Sequence, residues 1–178
     1  MSIVPPLHLW KKIIQRSPEW YQARRKVITA TDVASILELS PYETKYELFQ
    51  RKQREKKQTD VPMTNNPALL WGEKHEEYAK KLYDTLPLSV GKRVRHEVGL
   101  IHHKNYPFLA ASPDGVLEKL EGEKKFWLVE IKCPYKRRFQ EEEKTIPLYI
   151  WVQVQIQLEV CDLPMCHLLQ CWYGESEK

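Results

Sequence analysis

One short stretch of the chain alternates between apolar and polar residues. Val129 and Ile131 alternate with Glu130 and Lys132 in the sequence Trp-Leu-Val-Glu-Ile-Lys, and a two-residue period is typical of a β-strand. This alternation predicts that Glu130 and Lys132 lie on the same face of the strand. A turn signal near Gly122 separates the strand from an earlier apolar run. We therefore predict an antiparallel hairpin.

Asp114 lies at the start of that earlier run, in the turn sequence Ser112-Pro113-Asp114-Gly115. The hairpin would bring Asp114 close to Glu130. Carboxylate oxygens bind Mg²⁺ or Mn²⁺, which keep positions for water and phosphate oxygens. Lys132 can orient or deprotonate a metal-bound water and stabilise the transition state. The pattern suits metal-assisted hydrolysis; the alternative is an ordinary hairpin with a solvated Glu/Lys pair.

Capping signals predict several helices in the first half of the chain. The order Ser-Pro-Glu at residues 17–19 combines a capping serine, a proline in the first turn and an acid near the positive end of the helix. Either Thr29 or Thr31 caps the next helix. Thr44 and Glu47 form a capping box for a further helix that ends near residue 57.

A longer helix is predicted to start at Pro67. On it, Gly72, Glu76, Ala79 and Tyr83 share one face at helical spacing. A glutamate among small and aromatic residues is not simply directed to solvent. Further along the chain, the pattern predicts strands at residues 92–102, 108–111 and 165–173.

The composition indicates one folded domain over residues 1–178, with residues 1–16 as an N-terminal extension and 174–178 as a tail. The chain has 178 residues, of which 42% are hydrophobic and 29% charged, as in globular domains with a sizeable core. A net charge of +4 permits a polyanionic partner. The four cysteines form no Cys-x-x-Cys pair, which disfavours a zinc ribbon and favours free thiols.

The hairpin residues resemble those of a known enzyme family. Pro113-Asp114 followed by Glu130-Ile131-Lys132 resembles the signature of PD-(D/E)XK nucleases. The motif SPDG followed by VEIKCP resembles the lambda exonuclease and YqaJ-like viral recombinase group. This resemblance runs from about Trp20 to Val160. It implies an α/β fold with a restriction-endonuclease-like core, in which α-helices flank a mixed central β-sheet.

The resemblance also implies site residues. The implied catalytic residues are Asp114, Glu130, Lys132, Glu76 and Gln153. Mg²⁺, or Mn²⁺ in its place, would bind to Asp114, Glu130 and the backbone carbonyl of Ile131. Gln153 lies in residues 147–160, where apolar residues alternate as in a strand, but we predict a helix there on the resemblance alone. Gln155 and Gln157 are then predicted to be surface polar residues.

A second set of residues is implied to bind the DNA phosphates, and its members are Arg24, Thr31, Ser112, Arg137 and Arg138. An arginine offers a forked donor and a helix N-terminus offers free amides. A basic cluster that follows a catalytic strand is well placed to contact the DNA backbone. For Arg24 and Thr31, the alternatives are a solvated arginine and a plain helix cap.

The function implied by the resemblance is a Mg²⁺-dependent 5′-to-3′ exonuclease on double-stranded DNA ends that generates single strands for recombination or repair. A single-strand annealing protein and a trimeric ring are implied as partner and assembly. The N-terminus lacks a secretory pattern and no apolar run could span a membrane, so we expect the cytoplasm or the host compartment that contains the DNA. The alternatives are an endonuclease or nickase on the same core, and a non-catalytic DNA-binding module.

Overall fold

The computed structural model describes residues 4–55, 65–88, 91–135 and 146–173. Its helices are α1 (Leu7–Trp10), α2 (Pro18–Arg25), α3 (Ala30–Ile36), α4 (Lys45–Glu55), α5 (Pro67–Thr85) and α6 (Leu148–Cys161). Its strands are β1 (Ile28–Thr29), β2 (Arg93–His96), β3 (Ile101–His102), β4 (Leu109–Ala111), β5 (Gly115–Lys119), β6 (Phe126–Lys132) and β7 (Cys166–Gln170). No helix in these ranges is long and apolar enough to cross a membrane.

The strands form two mixed sheets. The larger sheet has the order β2-β5-β6-β7, in which β7 runs parallel to β6 and the other neighbours are antiparallel. The smaller has the order β1-β4-β3, with β1 parallel and β3 antiparallel to β4. Helices pack against these sheets, as predicted for the α/β class, although the strands are divided between two sheets.

The predicted hairpin is confirmed. β5 and β6 pair antiparallel with Gly115 opposite Val129, so Asp114 comes directly before the paired residues. Val129 and Ile131 pack with α5 in one apolar cluster, whereas Phe126 and Leu128 belong to a second cluster that includes residues of α6. The two faces of β6 are therefore covered by different helices.

The helix predicted at residues 147–160 is confirmed as α6, despite the strand-like alternation of its apolar residues. It contacts α3 and both sheets, so it buries residues around much of its circumference. Gln153 and Gln157 are both buried and lie four residues apart, the spacing that places two side chains on one face of a helix. Burial on several sides explains why the apolar pattern lacks a helical period.

The structure shows which of the predicted residues cap the helices. Ser17 accepts a hydrogen bond from the Trp20 amide. Thr29, rather than Thr31, precedes α3, where its amide and its hydroxyl both donate to Asp32 Oδ2 at 2.8 Å. Thr31 lies inside α3 and is exposed. The Thr44–Glu47 box is confirmed by a hydrogen bond of 2.8 Å from the Thr44 amide to the Glu47 carboxylate.

None of the four cysteines forms a disulfide. Cys161 is buried, and the other three are partly buried. Burial raises the pKa of Cys133 and of Cys166 to about 12. These thiols therefore keep their protons at neutral pH and are poor nucleophiles.

The prediction of one continuous strand at residues 92–102 is wrong, because β2 and β3 belong to different sheets. β2 ends at His96, and the N-terminal segment lies against the chain at Gly99, before β3 begins. The Gly99 amide donates to the Trp10 carbonyl at 2.8 Å. A Cβ atom on Gly99 would lie 1.5 Å from the Ile13 carbonyl oxygen. The N-terminal segment thus occupies the space beside residue 99.

Gly99→Ala is expected to lower the free energy of unfolding by about 1–3 kcal/mol, because the new methyl group must displace the Ile13 backbone. Urea unfolding measures this change, and faster proteolysis before residue 16 would locate it. Gly72→Ala is the matched control, because nothing lies within 4 Å of its added Cβ and alanine favours a helix. Equal stability of the two variants would contradict the packing described at Gly99.

Candidate active site

Asp114 is fixed at the end of the hairpin by a main-chain contact. Its Oδ2 accepts a hydrogen bond of 2.7 Å from the Ile131 amide. The next residue is Gly115, where a Cβ would lie 2.8 Å from Cγ of Arg95. Glycine therefore lets the Arg95 side chain pass close to the turn that carries Asp114.

Glu130 is the most buried acid of the site, with 3% of its surface exposed. Its Oε1 lies 2.6 Å from Lys132 Nζ and also 2.6 Å from Gln153 Nε2. Its Oε2 accepts from Gln157 Nε2 at 2.8 Å. A buried carboxylate is costly unless its charge and its lone pairs are compensated, and these three donors provide that compensation.

Lys132 and Gln153 complete a closed set of contacts around Glu130. The Lys132 ammonium donates to Gln153 Oε1 at 3.0 Å, while the amide of Gln153 donates to Glu130. Burial lowers the pKa of Lys132, but the charges of Glu130 and Asp114 outweigh it and raise the pKa above its usual value. Lys132 is therefore protonated in this arrangement.

The prediction that Gln157 is a surface polar residue is wrong. Only 1% of its surface is exposed, and it donates to Glu130. Gln155, which had the same prediction, is exposed. The signal that separates the two glutamines is the four-residue spacing from Gln153, which is meaningful only once α6 is known to be a helix.

Glu76 reaches the site from α5 and is held by two cations. Arg16 Nη2 lies 2.6 Å from Oε2, and Lys80 Nζ lies 2.8 Å from Oε1. Burial lowers the pKa of Lys80, but its close contact with Glu76 contributes to a net rise. Sequence analysis identified neither cation. Lys80 could have been found from its position four residues after Glu76, whereas no local signal links Arg16 to Glu76.

Two of the predicted phosphate-binding residues meet at Trp20. The Arg24 guanidinium lies over the Trp20 ring, 4.3 Å from its centroid. The Trp20 indole donates to Ser112 Oγ at 2.9 Å, and that hydroxyl donates to the Gly99 carbonyl at 3.1 Å. Ser112 therefore links the turn of Asp114 to Trp20 and Arg24. Arg137 and Arg138 lie outside the described residues.

The oxygen atoms of the site suit a hard divalent cation. Among the described residues, no group of three or more His, Cys, Asp or Glu side chains is arranged to hold a metal ion. Asp114 and Glu130 offer carboxylates, and the Ile131 carbonyl points to the same strand edge as the amide that binds Asp114. Mg²⁺ is commonly bound by one or two carboxylates with several waters, so this donor set fits it.

The charge balance also favours a cation beside Asp114. Burial, together with repulsion from Glu130 and Glu76, raises the pKa of Asp114 well above its usual range. A positive charge among these three acids would remove that repulsion. Water and phosphate oxygens would complete its coordination, in keeping with the preference of Mg²⁺ or Mn²⁺ for oxygen ligands.

Comparison with known families gives an extensive match. Residues 19–164 match the model described as the YqaJ-like viral recombinase domain. The chain is 30% identical over 177 residues to the uncharacterized protein R354 of Acanthamoeba polyphaga mimivirus, covering 92% of this chain and 30% of that protein. It is 30% identical over 142 residues to the uncharacterized protein YqaJ of Bacillus subtilis, covering 80% and 41% respectively. The chain thus spans less than half the length of these relatives.

Comparison with solved structures identifies the fold. The structure resembles an alkaline exonuclease, LHK-Exo, from Laribacter hongkongensis with a TM-score of 0.63 and 22% identity, over 91% of this chain and 78% of that one. A second structure of LHK-Exo, in complex with dAMP, matches with a TM-score of 0.63 and 24% identity, over 90% and 75%. At this identity the likeness establishes the mixed α/β architecture.

Gln157→Leu is expected to lower the free energy of unfolding at neutral pH by about 1–3 kcal/mol, because a buried Glu130 oxygen loses its donor. The change roughly conserves volume, so a cavity contributes little. Gln155→Leu is the matched control on the exposed face of α6, and its effect should stay within about 0.5 kcal/mol. Urea denaturation of both variants measures the difference, and equal effects would contradict the buried contact.

Proposed function

The chain belongs to the YqaJ-like viral recombinase family, and from that premise we propose that it is a divalent-metal-dependent deoxyribonuclease acting on duplex ends. The observation that carries the proposal is the buried Glu130 carboxylate, which Lys132 and Gln153 contact at 2.6 Å beside Asp114. A purely structural hairpin gains little from such a costly group. Metal-assisted phosphodiester hydrolysis uses acids that bind the metal, and a lysine near the attacked phosphate can orient the water and stabilise the developing charge.

Asp114, Glu130 and the Ile131 carbonyl would hold Mg²⁺, with Mn²⁺ as a substitute. The ion supplies charge neutralisation at the phosphate and lowers the pKa of a bound water. Asp114 is held in place by its hydrogen bond to the Ile131 amide. This contact fixes the spacing between a side-chain ligand and a main-chain ligand before the ion binds, which reduces the reorganisation that binding requires.

Lys132 would position the attacking water and stabilise the charge that develops on the phosphate. Its ammonium is oriented by Glu130 and Gln153, since both accept from it. Gln153 in turn donates to Glu130, so the glutamine controls the relative position of the lysine and the acid. Glu76 would assist from α5 by contacting the ion or one of its waters.

Arg24, Thr31, Ser112, Arg137 and Arg138 would bind the phosphates of the DNA, with the 5′-phosphate as the target of the first three. Contact between Trp20 and both Arg24 and Ser112 supports this proposal for those two residues. A phosphate bound there would lie close to the turn of Asp114. That arrangement would make the enzyme measure its cut from a 5′ end and degrade in the 5′-to-3′ direction.

The product of this activity would be single-stranded DNA for recombination or repair, passed to a single-strand annealing protein. A trimer that encloses the duplex would explain processive degradation. The partner and the trimer are proposals from family resemblance, and the chain spans less than half of its curated relatives. A nickase or endonuclease on the same core, or a non-catalytic DNA-binding module, are the alternative functions.

Asp114→Ala and Lys132→Ala are each expected to reduce degradation of linear duplex DNA by about 10³-fold or more, because the metal site or the water-positioning cation is lost. The assay compares linear with covalently closed circular duplex in the presence of Mg²⁺. Lys125→Ala is the matched control, since Lys125 lies before β6 and pairs with Glu123 at 3.4 Å. It should retain full activity.

The circular substrate separates the alternatives. Degradation of the linear form alone supports the exonuclease proposal. Cutting of the closed circle would retain the nuclease core but replace the exonuclease by an endonuclease. DNA binding without cleavage in Mg²⁺ or Mn²⁺ would favour the non-catalytic module.

Arg24→Ala is expected to remove the preference for 5′-phosphorylated ends over 5′-hydroxyl ends, because the guanidinium at Trp20 would contact that phosphate. The initial rates on the two substrates measure the preference, and their ratio is independent of enzyme concentration. Lys26→Ala removes a charge from the exposed residue after α2 and should leave the ratio unchanged. A preference that survives in Arg24→Ala would exclude this role for Arg24.

A further inference from the structure

The residues before α2 form one wall of the candidate active site. The Gln15 side-chain amide donates to the Val98 carbonyl at 3.0 Å and to the Pro113 carbonyl at 2.7 Å. The second contact fixes Gln15 to the residue directly before Asp114. Between this segment and α5 lies a cleft of about 450 Å³, and Asp114 contributes to its lining. Residues predicted to be a simple extension therefore take part in the site.

Arg16 is the last residue of this segment before the cap of α2, and its guanidinium contacts Glu76. Its φ angle is +65°, in the left-handed region that is unfavourable for residues other than glycine, asparagine and aspartate. The strained backbone brings the side chain to Glu76 Oε2 at 2.6 Å. Strain at one residue is retained where the surroundings compensate for it, often at functional sites.

The two cations that contact Glu76 are held differently. Lys80 is 8% exposed and also lies 3.0 Å from Glu77 on its own helix. The Arg16 side chain is 37% exposed and forms no second ion pair among the described residues, although the hydrogen bond from Lys80 and the charges of Lys80 and Arg16 lower the pKa of Glu77. Lys80 is thus held between two acids of α5, whereas Arg16 forms its one ion pair with Glu76 and is already partly exposed to solvent.

A divalent ion bound beside Asp114 would attract the Glu76 carboxylate, whether directly or through a water. Arg16 donates a hydrogen bond to Oε2, and Lys80 lies 2.8 Å from Oε1 without a hydrogen bond of good geometry, so the ion and a side-chain cation compete for the same group. Two positive charges that share one carboxylate oxygen also repel each other. The cation that is more weakly held would leave first.

We propose that Arg16 is a positioning residue that competes with the divalent metal ion for Glu76, holding this carboxylate in the metal-free site and releasing it when the ion binds. The inference rests on the proposed function, because it requires a metal site that includes Glu76. It assigns a role to the N-terminal segment that neither the motif residues nor the comparisons indicate.

Arg16→Gly tests the proposal. Glycine adopts a φ of +65° without strain, so the variant removes the guanidinium and keeps the backbone. We expect its dissociation constant for Mn²⁺, measured by electron paramagnetic resonance without DNA, to fall by about two- to fivefold, the range that a partly exposed ion pair contributes. A merely structural role for Arg16 would weaken metal binding or leave it unchanged.

Three matched variants sharpen the measurement. Lys12→Ala removes an exposed charge from the same segment and should leave Mn²⁺ affinity unchanged. Arg16→Lys retains the charge and should stay close to the wild type. In a Glu76→Gln background, Arg16→Gly should have no effect on Mn²⁺ affinity, because the carboxylate under competition is gone.

The Mn²⁺ affinities distinguish an error in the role of Arg16 from an error in the metal site itself. If the wild type binds Mn²⁺ more tightly than Asp114→Ala does, but Arg16→Gly shows no gain over the wild type, then the competition is wrong and the metal site stands. If the wild type and Asp114→Ala bind Mn²⁺ equally poorly, then the metal site is wrong and the role of Arg16 is excluded with it.

Discussion

The site depends on the cost of burying the Glu130 carboxylate. An ionised acid that is 3% exposed must be compensated by charge and hydrogen bonds. One compensating group, Lys132, comes from the same strand. The others, Gln153 and Gln157, come from α6 and fix the helix against β6 at 2.6 and 2.8 Å. The contacts that stabilise the acid therefore also determine where α6 packs on β6 and how the lysine is oriented. The donors that stabilise the acid are therefore the same side chains that join α6 to β6.

Local pattern predicted the hairpin well, because strand alternation and turn signals act over a few residues. Asp114, Glu130 and Lys132 are brought together by β5 and β6 alone, so the motif and its geometry share one short stretch. The pattern did not indicate which face of β6 meets solvent. A polar face usually does, but here that face lies under the glutamines of α6. The burial of Gln157 follows from this tertiary contact, and no window of sequence around residue 157 contains it.

The helix and the broken strand show how tertiary contacts override local preference. Residues 148–161 alternate like a strand, yet they form a helix that is packed on several sides, where burial removes the usual helical period. Residues 92–102 also alternate, yet they are divided between β2 and β3, and the chain around Ile13 occupies the space beside Gly99 in the interruption. Only family resemblance identified the helix. The interruption contains a contact between residues more than eighty positions apart, which periodicity cannot detect.

The acids of the site are compensated in two physically different ways. Glu130 is surrounded by short contacts from a sheet and a helix, all of them buried, so its position is fixed by the fold. Glu76 is contacted by the ends of two long basic side chains, and one of them, Arg16, is partly exposed and belongs to a segment joined to the core through Gln15 and Trp10. Moving Glu130 would leave a buried charge unpaired, so a metal ion that used this acid would have to bind where the fold holds it. An acid whose partners lie on longer, partly exposed side chains could adjust its charge balance if an ion and a substrate bind. The two carboxylates differ because different elements supply their partners. Since Arg16 is one of the partners of Glu76, the N-terminal segment forms part of the surroundings of the site.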